Sequence, residues 1–125
     1  EASAPVAERP TNQVGIVDQI LGNPALRNLN FDISWSEVAK YFVATPETTR
    51  RVADVINRYP DRFLFGTDEV APGDQATYLR VYHQYDPLWA LLTPEAKQKV
   101  LKGNYERLFD AARIKVRAWE AANLR

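Results

Sequence analysis

The fold class predicted by this sequence is α/β: a mostly helical chain with two short parallel strands. In "LNFDIS", Leu29, Phe31 and Ile33 alternate with Asn30, Asp32 and Ser34, the period-two pattern of a strand with one apolar face. In "RFLFGTDEVAP", an apolar burst stops at Gly66-Thr67-Asp68, as a second strand does when it delivers a residue to its end. Between the two lies a crossover of about 25 residues that contains a helical stripe, the spacing of a right-handed βαβ unit with parallel strands.

Each element has its own local signal. Residues 1–13, "EASAPVAERPTNQ", mix alanine, proline and charge without an apolar period and read as a flexible N-terminal arm or linker, with residues 14–125 as the folded portion. Val14, Val17, Ile20 and Leu21 follow at helical spacing, with Thr11 or Asn12 as cap and Gly22-Asn23-Pro24 as the stop. Residues 36–44 form a helical segment. Thr45-Pro46-Glu47 then starts a second helix with a cap, a proline at its first position and acid in its first turn. Val52, Val55, Ile56 and Tyr59 give that helix its buried stripe, and Pro60-Asp61 ends it.

After the second strand, Asp74 is placed to cap a helix bearing Tyr78, Leu79, Tyr82 and Tyr85, which Asp86-Pro87 breaks. Thr93-Pro94-Glu95 opens another helix. Asn104, following Gly103, is the expected cap of a last helix that docks through Leu108, Phe109, Ala112, Val116 and Trp119. Tyr78, Tyr82, Tyr85 and Trp89 read as core rather than as an interaction surface.

Composition excludes several functions. The chain has 125 residues, with 46% hydrophobic and 26% charged, which is the make-up of a soluble globular domain. Sixteen basic residues balance sixteen acidic ones, so no electrostatic footprint for nucleic acid or an anionic membrane is present. No apolar run reaches the roughly 20 residues of a membrane span. Without cysteine there is no disulfide framework, thiolate metal site or cysteine nucleophile, and the redox compartment stays open. Cytoplasm is the expectation, with a processed secreted form as the alternative. The absence of methionine, position 1 included, leads us to expect a chain that begins inside a longer reading frame or after processing.

Three motifs in order, "LNFDISW", "YPDRFLFGTDEVAP" and "TPEAKQKVLKGNYERLF", resemble the C-terminal portion of the amidohydrolase-related family. That family comprises metal-dependent (β/α)8 barrels that include hydrolases and nonoxidative decarboxylases. The resemblance covers residues from about 14 to 110 and implies the last two β/α units of a TIM barrel with its closing helices. It places Asp68 where the family has the carboxylate at the end of its eighth strand, a contact of the catalytic metal and a base for the bound water. Active sites of such barrels lie at the C-terminal strand ends. On strand parity, Leu64, Gly66 and Asp68 would face the lumen, with Phe63 and Phe65 facing the helices.

The resemblance also sets what this chain lacks. The family takes its other metal ligands from histidines on earlier strands, whereas this chain has one histidine, His83, placed in a helix after the last strand. One aspartate does not hold a catalytic zinc, which takes three protein ligands and a water. At half the length of a typical barrel of about 250 residues, the chain is not a self-sufficient enzyme of the family. It is expected to need a divalent metal, zinc or manganese, only with the barrel complete. The partners expected are the missing N-terminal barrel portion or further copies of the chain, and a small-molecule substrate when complete.

Asp32, Ser34, Trp35, Gly66, Thr67 and Glu69 are candidate pocket residues beside Asp68. Each also has a plainer reading. Gly66-Thr67-Asp68 suits a turn, Asp32 and Ser34 suit the solvated face of a strand, and Trp35 suits packing. Glu69 suits an exposed loop, and Arg62 suits a pair with an acid. The alternative function is a noncatalytic helical interaction module that retains a degenerate barrel end and acts by binding.

Overall fold

The computed structural model describes residues 13–124. The arm expected over residues 1–13 lies outside them except for Gln13, as do the caps expected at Thr11 and Asn12. Helix α1 (Gln13–Leu21) leads through a 3-10 turn (Pro24–Leu26) to strand β1 (Phe31–Asp32). Helices α2 (Ser36–Phe42) and α3 (Pro46–Arg58) make the crossover, and a second 3-10 turn (Pro60–Arg62) feeds strand β2 (Phe63–Leu64). Helices α4 (Gln75–Gln84), α5 (Asp86–Trp89) and α6 (Pro94–Gln98), a π turn (Lys99–Gly103) and α7 (Asn104–Asn123) complete the chain. The two strands pair in parallel with Phe31 beside Phe63 and Asp32 beside Leu64, as the βαβ spacing predicts. No helix of the described residues is long and apolar enough to cross a membrane.

The caps sit where the sequence placed them. Thr45 Oγ1 accepts the Thr48 N–H at 3.1 Å, Asp74 Oδ1 accepts the Thr77 N–H at 2.7 Å, and Thr93 Oγ1 accepts the Ala96 N–H at 3.1 Å. Each satisfies one of the amides that a helix start leaves without an intrahelical partner. Val52, Val55 and Ile56 of α3 are buried, and they pack with Ile33, Phe63, Val81, Tyr85, Leu88, Trp89 and Val100 into one core. Phe65 stands edge-on to Tyr82, Tyr85 and Trp89, with ring centroids 6.2, 5.1 and 5.1 Å away. The aromatic residues of α4 and α5 thus divide: Tyr85 and Trp89 are core, whereas Tyr78 is exposed.

Both strands are shorter than the alternation suggested, and side chains take over where pairing stops. In a parallel pair, successive residues point their backbone groups to opposite sides. Ile33 N–H donates to Leu64 O at 2.9 Å, so the Phe63 carbonyl and the Phe65 N–H point away from β1. The expected Asn104 cap is corrected here. Asn104 is buried inside a continuous run from the π turn into α7, and its amide donates to Pro60 O at 2.7 Å and Phe63 O at 2.9 Å. Its own N–H reaches back to Lys99 O, the five-residue step of a π turn. That step frees the Val100 carbonyl, which accepts the Phe65 N–H at 3.2 Å. The outer edge of β2 is therefore closed by the chain's own helix.

Two further expectations are corrected. Arg62 pairs with no acid among the described residues; its Nε donates to Leu29 O at 2.6 Å and its Nη2 to Leu26 O at 2.7 Å, tying the approach to β1 against the start of β2. The last helix does not dock through its apolar stripe: Asn104 is the buried residue of α7, while Phe109, Val116 and Trp119 lie more than half exposed.

Candidate functional site

Parallel strands bring their C-terminal ends to the same side of the sheet, so Ser34 and Trp35 after β1 and the segment from Gly66 to Glu69 after β2 leave the sheet on one side. Ser34 joins them. Its hydroxyl accepts the Gly66 N–H at 2.6 Å and donates to the Asp32 carboxylate, whose Oδ1 also accepts the Ser34 N–H at 2.8 Å. This is an Asx-type turn extended across to the neighbouring strand. A side chain at Gly66 would bring its Cβ to 3.2 Å from the Ser34 oxygen, so the glycine is there for close approach.

The backbone beyond each strand is unusual. Trp35 (φ 90°), Asp68 (φ 51°) and Ala71 (φ 49°) are left-handed without being glycine, a conformation that costs energy and clusters where structure is committed to a task. All three follow the strand ends. Trp35 is 50% exposed just past β1, and its carbonyl accepts the Tyr85 hydroxyl at 2.9 Å; the same hydroxyl also reaches Ile33 O. Burial, with a smaller contribution from the Asp32 charge, pushes the Tyr85 phenol well above its ordinary value, so Tyr85 is a permanent donor at neutral pH.

The expectation that β2 extends to Asp68 is corrected: pairing ends at Leu64, and the left-handed turn at Asp68 breaks the alternation on which the lumen-facing parity rested. Asp68 is exposed, Thr67 is buried and Glu69 is half-buried. Asp32, Ser34 and Gly66 are brought together by hydrogen bonds; Asp68 makes no hydrogen bond or ion pair among the described residues. Ser34 and Tyr85 are the organising residues that sequence reasoning undervalued. The signal for Ser34 was its place two residues after an aspartate, whereas Tyr85 gave none beyond its aromatic stripe.

The three ordered motifs and both strands lie within residues 21–111, the stretch that the amidohydrolase family model matches. The chain belongs to the amidohydrolase family. Searches of curated proteins and of solved structures return no match. Family membership carries a hydrolase-like function and, with it, a small-molecule substrate.

Amidohydrolases usually hold a metal, and the donor set here can be tested against one. Among the described residues, no three histidine, aspartate or glutamate side chains gather into a group able to hold a metal ion. His83 Nδ1 lies 3.1 Å from Asp86 Oδ2, both side chains exposed. A complete metal centre does not fit these residues, because a catalytic site needs about three protein ligands.

Proposed function

We propose that this chain is the C-terminal portion of an amidohydrolase barrel, with residues 14–125 forming the last two β/α units and closing helices. In this reading it supplies Asp68 to a hydrolytic or nonoxidative decarboxylating site whose remaining groups come from outside the chain. The observation that carries the reading is the coincidence of the family match with strand ends that present an uncommitted carboxylate. Asp68 follows β2, is exposed, and is held by no hydrogen bond or ion pair among the described residues, so its oxygens are free to take a proton or a cation. Asp32 differs, since Ser34 occupies one of its oxygens.

The division of labour follows from those contacts. Ser34 and Gly66 hold the two strand ends at a fixed separation, and Trp35 walls the mouth. Asp68 is the group that acts. Native mass spectrometry of the chain purified from its source tests this, because it reports partner mass and bound metal together. The expected species is a complex with a larger chain carrying a divalent metal, zinc or manganese, whose occupancy falls when Asp68→Asn is used. A chain recovered without a larger partner and without metal, whether as monomer or as dimer, overturns the reading.

A further inference from the structure

Helix α7 carries Tyr105, Leu108, Phe109, Ala112, Val116 and Trp119 at three- and four-residue steps, which puts them on one face. That face is uncovered. Tyr105 is 58% exposed, Phe109 51%, Val116 51% and Trp119 60%, because α7 meets the rest of the described residues, chiefly the π turn and β2, through its first turns. Scattered apolar residues on a surface need no explanation, whereas a continuous stripe marks an interaction site.

The pattern along the stripe identifies its occupant. Tyr105, Ala112 and Trp119 form one row at seven-residue intervals, and Phe109 and Val116 form the adjoining row, as in a two-helix seam. One flank carries Glu106, Arg113 and Glu120, charges that alternate in sign at the same interval. The other carries Leu108, Lys115 and Ala122. We propose that this face binds the same face of a second copy of the chain, antiparallel. The chosen register sets Glu106 of each copy against the partner's Arg113, Phe109 against the partner's Ala112 and Tyr105 against the partner's Val116.

Charge selects that register. Sliding the helices to full overlap would set Glu106 against Glu120 and Arg113 against its own counterpart, like charges at each step. The existing pairs, Lys102–Glu106 at 3.3 Å and Asp110–Arg113 at 3.5 Å, are exposed and give way easily. The contact is small. In this register Trp119 falls opposite the partner's Lys102, beyond the overlap of the two helices. Half-exposed aromatic side chains offer roughly 100 Å² each, so Tyr105, Phe109, Ala112 and Val116 give roughly 300 to 400 Å² per copy against about 800 Å² in a standard interface. The dimer is therefore weak and concentration-dependent. This inference is independent of the role proposed for Asp68.

Sedimentation velocity of the chain from about 5 to about 500 micromolar tests it across the range of weak affinities. The expected result is a shift from monomer toward dimer that Phe109→Glu abolishes. Glu106→Arg and Arg113→Glu each weaken association about tenfold or more, and the two together restore it to within about threefold of the parent. Monomer throughout, association that survives Phe109→Glu, or a double variant as weak as the singles overturns the proposal. The first of these outcomes would leave the stripe to a different chain or to the remainder of the barrel.

Discussion

Replacing Asn104 by alanine tests the central structural claim, that a side chain stands in for a neighbouring strand. The amide donates to Phe63 O in a fully buried contact and to Pro60 O in a partly buried one. Truncation leaves both carbonyls without that donor. A buried acceptor deprived of its partner costs about 1 to 3 kcal/mol, while the Pro60 oxygen, reachable by water, costs about 1 kcal/mol or less. The expected loss is therefore about 1 to 4 kcal/mol, a large share of the 5 to 15 kcal/mol typical of a domain. In urea unfolding followed by far-UV circular dichroism, that lowers the midpoint by about 0.5 to 2 M at a slope of about 2 kcal/mol per M. Asn104→Asp keeps the shape but turns a donor into an ionised acceptor facing two carbonyl oxygens, so it should be at least as destabilising. A loss below about 1 kcal/mol for Asn104→Ala, or an aspartate variant as stable as the parent, would show that β2 is held by something else.

Tyr85→Phe removes the hydroxyl shared by Ile33 O and Trp35 O and should cost about 1 to 3 kcal/mol by the same urea titration; an unchanged midpoint would contradict the clamp. Because burial raises the Tyr85 phenol, the unfolded chain ionises first as pH rises, and stability falls above the ordinary tyrosine value of about 10. Tyr85→Phe should flatten that alkaline slope. At the acid end, bonds from Thr77 hold the Asp74 carboxyl below its usual range. Its stabilisation is present above the ordinary aspartate value and disappears as pH falls through the lowered one. Urea midpoints across the acid range should drop less steeply for Asp74→Ala than for the parent, and parallel curves would refute the capping role.

What the sequence made legible follows how local each determinant is. Thr45, Asp74 and Thr93 were readable as caps because a cap bonds within three residues of itself. Val52, Val55 and Ile56 were readable as core because helical periodicity needs only one neighbouring surface. Strand extent was not legible: the alternation around Phe31 persists to Leu29 and Ser34, but pairing depends on the partner strand, which ends at Leu64. The left-handed turn at Asp68 carries no sequence mark, since nothing in its side chain demands it. Asn104 after Gly103 looks like any helix start, and only a π turn, set by contacts with Phe63 and Phe65 about forty residues away, makes it a clamp. In the candidate site, Asp32, Ser34 and Gly66 were readable as a group near the strand ends, but the hydroxyl that joins them was not.

These clamps answer a physical problem. Two parallel strands of two residues each are too little sheet to persist, because parallel sheets gain stability from covered faces and from further strands. Here Val100 and Asn104 satisfy the outer edge of β2, Arg62 binds the approach to β1, and Ser34 and Tyr85 hold the exits. The consequence for the proposed barrel is directional. A strand added beside β2 must first displace the Val100 carbonyl and the Asn104 amide, losing two satisfied bonds before it gains any. The Asp32 N–H and carbonyl, which alternate away from β2, face the other side of the sheet, where pairing requires no such exchange. Asn104→Ala therefore weakens the isolated chain while removing part of the barrier to a strand at β2. Amide exchange at Phe65 and Gly66 distinguishes the two effects, because local opening speeds Phe65 alone while Ser34 continues to protect Gly66.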